Sequence, residues 1–484
     1  MVPGDAGEPL EAAGRADRPD ATGPAGRAGR ADGGRADRAA GRAGPAGDGA
    51  GGAEVTGPAG RAGVDRGDGA VERAGPPGDG SAAPAEAAGP WLTRGVVGIG
   101  TASFLQDVGH EVPTSLLPSF LTSTLGAPAS ALGLVEGVAD GLAGLARLAG
   151  GPLADDPGRR RAVAVGGYAS TAVLSGAIGA AATPLQAGAL RAGAWAARGL
   201  RSPARNALLA EVSRPGTYGR AYGFERAMDN LGAIVGPLLA IALVAAVGVR
   251  AAIGLSAIPG LLAAVAIADA ARHAAPVARQ PGRPPLRIRV RPVLRGDLGP
   301  VMAGIAAFEL GNVAATLLIL RATELVGRDE ALGLYVAYNA AATGWSVAAG
   351  RAVDRRGPLP VLVAGAGLLA AAYAGLAAGP ASVAGLAPWF LLAGLGIASA
   401  ETAEHAAVAA LAPPGLRGSA FGLVAAVQSG GNLAASGVAG LLWTAAGPGV
   451  AFAYVAAWAA LAVAVLGAVA VGRRRAAAGP ARVG

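Results

Sequence analysis

From Trp91 to about residue 472, apolar runs of roughly twenty residues follow one another, each closed by a short stretch of Gly, Pro, Asp or Arg. A run of that length crosses the hydrocarbon core of a bilayer as a helix. The pattern predicts spans near 95–119, 131–151, 162–183, 187–210, 220–247 and 250–271, then near 299–321, 330–350, 359–379, 384–411, 418–446 and 449–471. At roughly 33 residues per span with its loop, this part of the chain holds about twelve membrane helices. Two six-helix bundles are expected, at 91–271 and 299–472. Between them, 272–298 reads as a hydrophilic connection, built around Arg283-Pro284-Pro285-Leu286-Arg287-Ile288-Arg289-Val290-Arg291.

The two ends differ from this pattern. Over residues 1–90 neither a period of 2 nor one of 3.6 survives, and units such as Gly23-Pro24-Ala25-Gly26-Arg27 recur without an aromatic residue. This predicts a disordered low-complexity tail. It has no apolar core of a cleaved export signal, so the first span is expected to direct insertion. An in-frame start at Val64 or Val71 would remove most of it. A second short tail covers 473–484.

Composition narrows the function classes. With 52% hydrophobic and 15% charged residues in 484 and a mean hydropathy of +0.45, the chain is too apolar for a soluble enzyme. The first ninety residues hold 10 Arg and 14 Asp plus Glu, a net −4, so the rest of the chain carries a net +12, an excess that lies in its loops. Arg159 to Arg161, Arg214, Arg220, the central stretch, Arg351, Arg355, Arg356, Arg417 and Arg473 to Arg475 all fall on one side, which places both termini and the central loop in the cytoplasm of a plasma membrane protein. Arg in short clusters between apolar runs is not a nucleic-acid footprint, so no nucleic-acid partner is expected. There is no Cys, the three His at 110, 273 and 405 show no metal-ligand spacing, and no phosphate-cradling Gly loop with Lys occurs. No enzyme, metal or cofactor is expected.

The two bundles repeat each other. Gly151-Pro152-Leu153-Ala154-Asp155 and Gly350-Arg351-Ala352-Val353-Asp354 stand 199 residues apart, each closing the second span of its half. Ala221-Tyr222-Gly223 faces Ala420-Phe421-Gly422 at 199, Ala131-Leu132-Gly133-Leu134 faces Ala331-Leu332-Gly333-Leu334 at 200, and Asp107-Val108-Gly109-His110 faces Glu309-Leu310-Gly311-Asn312 at 202. An offset that drifts so little indicates duplication of a six-helix unit.

From Trp91 to Gly472 the chain resembles the major facilitator superfamily of secondary transporters. The loop after span 2 carries the resemblance, with Gly151, Leu153, Asp155, Gly158, Arg159 and Arg160 in the family's pattern; Asp156 stands where a basic residue is usual, and Pro358 replaces the trailing Arg in the second copy. The stretches Phe104 to Glu111 and Arg191 to Glu211 look like a poorly characterised prokaryotic branch of it. The resemblance implies an all-α membrane fold of two six-helix bundles that rock about a central site. It also implies a conformational latch, in which Asp155 meets the start of span 11 near Ser419 and Asp354, after Gly350, meets the start of span 5 near Tyr222. Ordinary topology-setting loop charges are the alternative reading.

Ionisable side chains inside apolar spans are the candidate chemistry, because each costs roughly 2.5 to 3.5 kcal/mol at the bilayer centre. Asp107, His110 and Glu111 in span 1 lie at i, i+3 and i+4, a spacing that Glu401, Glu404 and His405 repeat in span 10. Span 7 adds Glu309 and Asn312, and span 4 adds Arg191, Arg198, Arg201 and Arg205. In the resembled family these four spans line the central cavity. Carboxylates beside an imidazole in a low dielectric suit reversible protonation, while buried pairs that only hold helices in register are the competing reading for Asp107, Glu111 and the span-4 arginines. Glu136 and Asp140 in span 2, and Glu225, Arg226 and Asp229 in span 5, read first as structural pairs. Trp195, Tyr335, Tyr338, Trp345 and Trp389 are the aromatic candidates for substrate stacking.

The expectation is a monomeric, proton-coupled secondary transporter of a small organic solute, embedded in the lipid bilayer and exporting amphipathic or cationic compounds. An uptake symporter and a transporter-like receptor are the alternatives.

Overall fold

The computed structural model describes residues 90–274, 287 and 289–477. The tail expected at 1–90 therefore lies, Pro90 apart, outside the described residues, as do 275–286 and 288 of the central stretch and residues 478–484. Among the described residues the chain is helical and contains no strand.

In chain order the helices are α1 (Arg94–Ser119), α2 (Ala129–Asp155), α3 (Pro157–Ala177), α4 (Pro184–Val212), α5 (Tyr218–Leu255) and α6 (Ala257–Ala270), which form the N-terminal half. The short α7 (Val290–Leu294) precedes the C-terminal half of α8 (Leu298–Glu309), α9 (Ala315–Val326), α10 (Arg328–Arg356), α11 (Pro358–Ala378), α12 (Val383–Leu411), α13 (Arg417–Ala446) and α14 (Pro448–Ala477). Side-chain caps set several starts. Thr93 accepts from Val96 N at 3.2 Å, Thr183 from Gln186 N at 3.2 Å and Ser382 from Gly385 N at 3.1 Å, while Pro157 and Pro184 occupy first-turn positions that need no N–H. Asp156, unusual for the resembled loop, caps α3 by accepting from Gly158 N at 2.8 Å.

Several boundaries differ from the sequence reading: α10 runs to Arg356, α14 runs to Ala477 into the expected tail, and α7 lies within the expected connection. The turn expected between 247 and 250 is a single residue, Gly248, whose φ of 80° interrupts an otherwise continuous α5. Only glycine adopts that conformation readily. Span 7, expected unbroken over 299–321, divides at 310–314 into α8 and α9. Side chains of α13 satisfy the freed backbone groups, as Asn432 Nδ2 donates to Asn312 O at 2.9 Å and Ser436 Oγ accepts from Ala314 N at 2.9 Å. A period-based reading does not see such bonds, since they come from a helix more than a hundred residues away.

Glycine and alanine let the helices pack backbone to backbone. The Gly232 and Gly236 stripe of α5 lies on α1, where a Cβ at Gly232 would stand 2.6 Å from Phe104 O and 2.9 Å from Asp107 Cβ. Gly150 of α2 meets Leu200 of α4 in the same way. Outward, Leu185, Leu238, Ile241, Leu262 and Val265 expose large apolar surface, which water does not tolerate over so wide an area but lipid does. Five stretches pass a length and composition test for crossing a membrane, Pro157–Ala180, Tyr218–Ala270, Pro358–Ala378, Val383–Leu411 and Pro448–Arg473.

Candidate functional site

The halves meet through α2 with α13 and α5 with α10. At the Arg-rich end, Asp155 accepts from Ser419 N at 2.9 Å and from Ser419 Oγ, and the second copy mirrors it. There Asp354 accepts from Gly219 N at 2.7 Å, Arg220 N at 3.2 Å and Arg220 Nε at 2.7 Å. A carboxylate on the free N–H groups of a helix start is favoured by their partial positive charge. Burial nonetheless raises both carboxyls above the usual range. Gly151 and Gly350 make the approach possible, since a Cβ would stand 3.0 Å from Ser419 Cα and 2.7 Å from the Gly219 carbonyl carbon respectively. Arg160 turns from the latch to Ala154 O at 2.5 Å and to Glu211, and Arg159 pairs with Asp156 at 3.4 Å. Above this floor Tyr222, His405 and Phe421 bring their rings within 5.7 to 6.0 Å across the halves. Toward the other end of the same helices, Gly133, Gly137, Gly333, Gly344, Gly437 and Gly440 have open space where a Cβ would be.

In the N-terminal half most intramembrane charges are paired, but the buried Arg201 has no ion-pair partner among the described residues and lies 3.8 Å from the centre of the Tyr168 ring. Arg198 contacts Asp107 at 3.2 Å, and Arg191 contacts Glu136 at 3.0 Å and donates to Thr114 Oγ1 at 3.1 Å. The Arg191 guanidinium lies 3.4 Å from the centre of the Trp195 ring, whose other neighbours are His110 at 4.2 Å and Asp140, which accepts from Trp195 Nε1 at 2.8 Å. His110 Nε2 stands 3.9 Å from Glu111. Arg205 contacts Glu225 at 2.6 Å and Asp229 at 3.6 Å and donates to Ser103 Oγ at 3.2 Å; Ser103 in turn donates to Glu225 at 2.7 Å.

In the C-terminal half the partners are amides. Asn312 Nδ2 donates to Glu309 at 3.0 Å and Gln428 Nε2 to Glu404 at 2.9 Å. Glu401 reaches across to Arg226 at 3.2 Å, and Arg226 also holds Asp229 at 3.2 Å. His405 Nδ1 lies 2.8 Å from Glu401 O.

Of the residues singled out in the sequence, Asp107 and Arg198 meet directly, as do Glu309 and Asn312. Arg191 goes to Glu136, not to a carboxylate of span 1, 7 or 10. Sequence reasoning missed Arg226 as the bridge between halves, Arg205 of span 4 as the partner of the span-5 carboxylates, and Glu211, Gln428 and Ser429, the last of which accepts from Arg147 across the halves. Gln428 and Ser429 were legible only as polar positions inside an apolar run; their partners lie on other helices.

An all-helical, lipid-facing chain of two halves that enclose charged side chains is a multi-pass membrane protein with the architecture of a transporter. The family model of the Major Facilitator Superfamily matches residues 99–327. An uncharacterized MFS-type transporter of Methanocaldococcus jannaschii is 27% identical over 365 residues, covering 73% of this chain and 89% of the relative. The fold is also that of a bacterial homologue of the iron transporter ferroportin in an outward-facing state (TM-score 0.64, 15% identity, 78% of this chain and 99% of that one). It is shared too with the proton:xylose symporter XylE (TM-score 0.60, 15% identity, 78% and 95%). In the part that the family model matches, in this relative and in fold, the chain is similar to the major facilitator superfamily.

Proposed function

We propose that the protein is a proton-coupled secondary transporter that works by alternating access and exports small amphipathic or cationic organic compounds across the plasma membrane, as a monomer with both termini in the cytoplasm. The observation that carries this reading is the contrast between halves: arginines of α4 pair with Asp107, Glu136 and Glu225 of the N-terminal half, whereas Glu309 and Glu404 of the C-terminal half have only amide partners within hydrogen-bond reach. Buried carboxylates without a cation take up a proton or a positive charge. In this reading Asp107, His110, Glu111, Arg191, Arg198, Glu309, Asn312, Glu401, Glu404 and His405 line the path of substrate or proton. Asp155 and Asp354, with Gly151, Gly158, Arg159, Arg160 and Gly350 around them, latch the cytoplasmic end, and binding at the midplane drives the halves between latched and unlatched states.

The test uses everted vesicles energised to hold a pH gradient, challenged with cationic, neutral and anionic compounds. Compound-dependent dissipation in wild type, abolished in one of Glu111→Gln, Glu309→Gln or Glu404→Gln, supports proton-coupled export and names the coupling residue. Silence across the panel from inserted, folded protein overturns export and shifts the reading to uptake or to a receptor without transport.

A further inference from the structure

Among the described residues two ion pairs cross between the halves, Arg220 with Asp354 in the latch and Arg226 with Glu401 inside the membrane. Arg226 stands four residues after Tyr222 on α5, and Glu401 four residues before His405 on α12. The second pair therefore lies one turn, about 6 Å, beyond the contact of the Tyr222 and His405 rings. Its guanidinium is shared: Nε contacts Glu401 at 3.2 Å, while Nη1 contacts Asp229 of the same helix at 3.2 Å. The two carboxylates are not equally dependent on it. Asp229 has a second cation, Arg205 at 3.6 Å, whereas Glu401 has no other described cation within 4 Å. Glu401 is also the most exposed of the three side chains, at 28% against 16% for Arg226 and 14% for Asp229, so a competing charge can reach it. Arg191, Arg198 and Arg205 pair within their own half.

A planar guanidinium can hold two carboxylates at once on different edges, which a point charge on a flexible stem does poorly. Separating such a pair in a low dielectric is costly unless each member finds another partner. Parting α5 from α12 leaves Arg226 with Asp229 and strands only Glu401. We propose that Arg226 is the positioning residue that clamps the two halves together beyond the latch, and that its hold is released when another positive charge takes its place at Glu401. This deepens the reading of the protein as a carrier of cationic solutes and rests on it for the releasing charge to be the solute; the clamp itself requires no gradient and no substrate.

The test is the distance between spin labels at Arg214→Cys and Arg355→Cys, exposed positions of opposite halves in a chain without native cysteine, measured on the full chain. Arg226→Ala is expected to lower the ratio of closed to parted molecules by about tenfold. Methylguanidinium, which carries the missing head group, is expected to restore the closed distance in Arg226→Ala. Tetramethylammonium, with the same charge and no N–H to donate, is not. The rescue should vanish in Arg226→Ala with Glu401→Gln. Glu401→Gln alone strands no charge, since Arg226 keeps Asp229, and should part the halves as Arg226→Ala does; it decides the matter even if the alanine variant does not fold. A Glu401→Gln distribution equal to that of wild type, a folded Arg226→Ala protein that ignores methylguanidinium, or a rescue that survives Glu401→Gln overturns the clamp. The expected shifts and rescue without any compound-driven proton flux keep the clamp and remove proton-coupled export. Proton flux together with wild-type distances in both variants removes the clamp and keeps export.

Discussion

Gly350→Ala tests whether the close approach of α5 and α10 belongs to one conformation of the protein. A Cβ at Gly350 would stand 2.7 Å from the Gly219 carbonyl carbon and 3.0 Å from Arg220 Cα. Both are backbone atoms, so no side chain can swing aside. The helices must part by several tenths of an ångström, and the bonds from Gly219 N at 2.7 Å and Arg220 N at 3.2 Å to Asp354 stretch with them. Overpacking of this kind costs about 1–3 kcal/mol, which changes the ratio of latched to unlatched molecules by about 5- to 150-fold. Within α10 itself alanine favours the helix by up to about 1 kcal/mol over glycine, so the fold is not weakened. Because the chain has no native cysteine, Arg214→Cys and Arg355→Cys introduce a specific spin-label pair on exposed positions of opposite halves. The expected result is a shift of the distance distribution to longer values in Gly350→Ala. Gly344→Ala, on the same helix but with open space at its Cβ, leaves it unchanged. A Gly350→Ala distribution equal to that of wild type refutes the reasoning.

Three further outcomes are expected. Arg205→Gln strands Glu225, which is 2% exposed, beside Ser103 and should lower stability by about 3–5 kcal/mol, read as a fall in melting temperature; Arg205→Met with Glu225→Met should recover most of it. Burial raises the Asp155 carboxyl although Ser419 bonds and the Arg160 charge oppose the rise. A carboxyl raised in the latched state favours latching below its ordinary pKa, and that advantage fades as pH climbs through the raised value. Labels across α2 and α13 should therefore show more closed molecules at about pH 4 than at about pH 7, with a flatter profile in Asp155→Asn, and the opposite slope would contradict the assignment. Trp195→Phe keeps a ring under Arg191 but loses the 2.8 Å bond to Asp140, so it should destabilise the protein by about 0.5–1.5 kcal/mol, less than Trp195→Leu, which also loses the 3.4 Å cation–π contact, in thermal unfolding.

Sequence alone determined that the chain lives in a bilayer, that it is all-α, that it is built from a duplicated unit, and that spans 1, 4, 7 and 10, along with 2 and 5, carry charge. Those are one-dimensional properties: the length of apolar runs fixes spans, a constant offset of 199 to 202 residues reveals duplication, and a carboxylate inside an apolar run is conspicuous because its desolvation must be compensated. The i, i+3, i+4 spacing even put Asp107, His110 and Glu111 on one face. Which partner compensates each charge was not in the sequence. Arg191 chose Glu136 and Arg205 chose Glu225, while Arg226 crossed to Glu401; several arginines stand near several carboxylates, and the choice depends on helix rotation and on where glycine lets backbones touch. The break at 310–314 was likewise decided in three dimensions. A helix gives up its own hydrogen bonds inside a membrane only where a neighbour replaces them, and the replacing atoms of Asn432 and Ser436 lie on α13, beyond the reach of any local pattern.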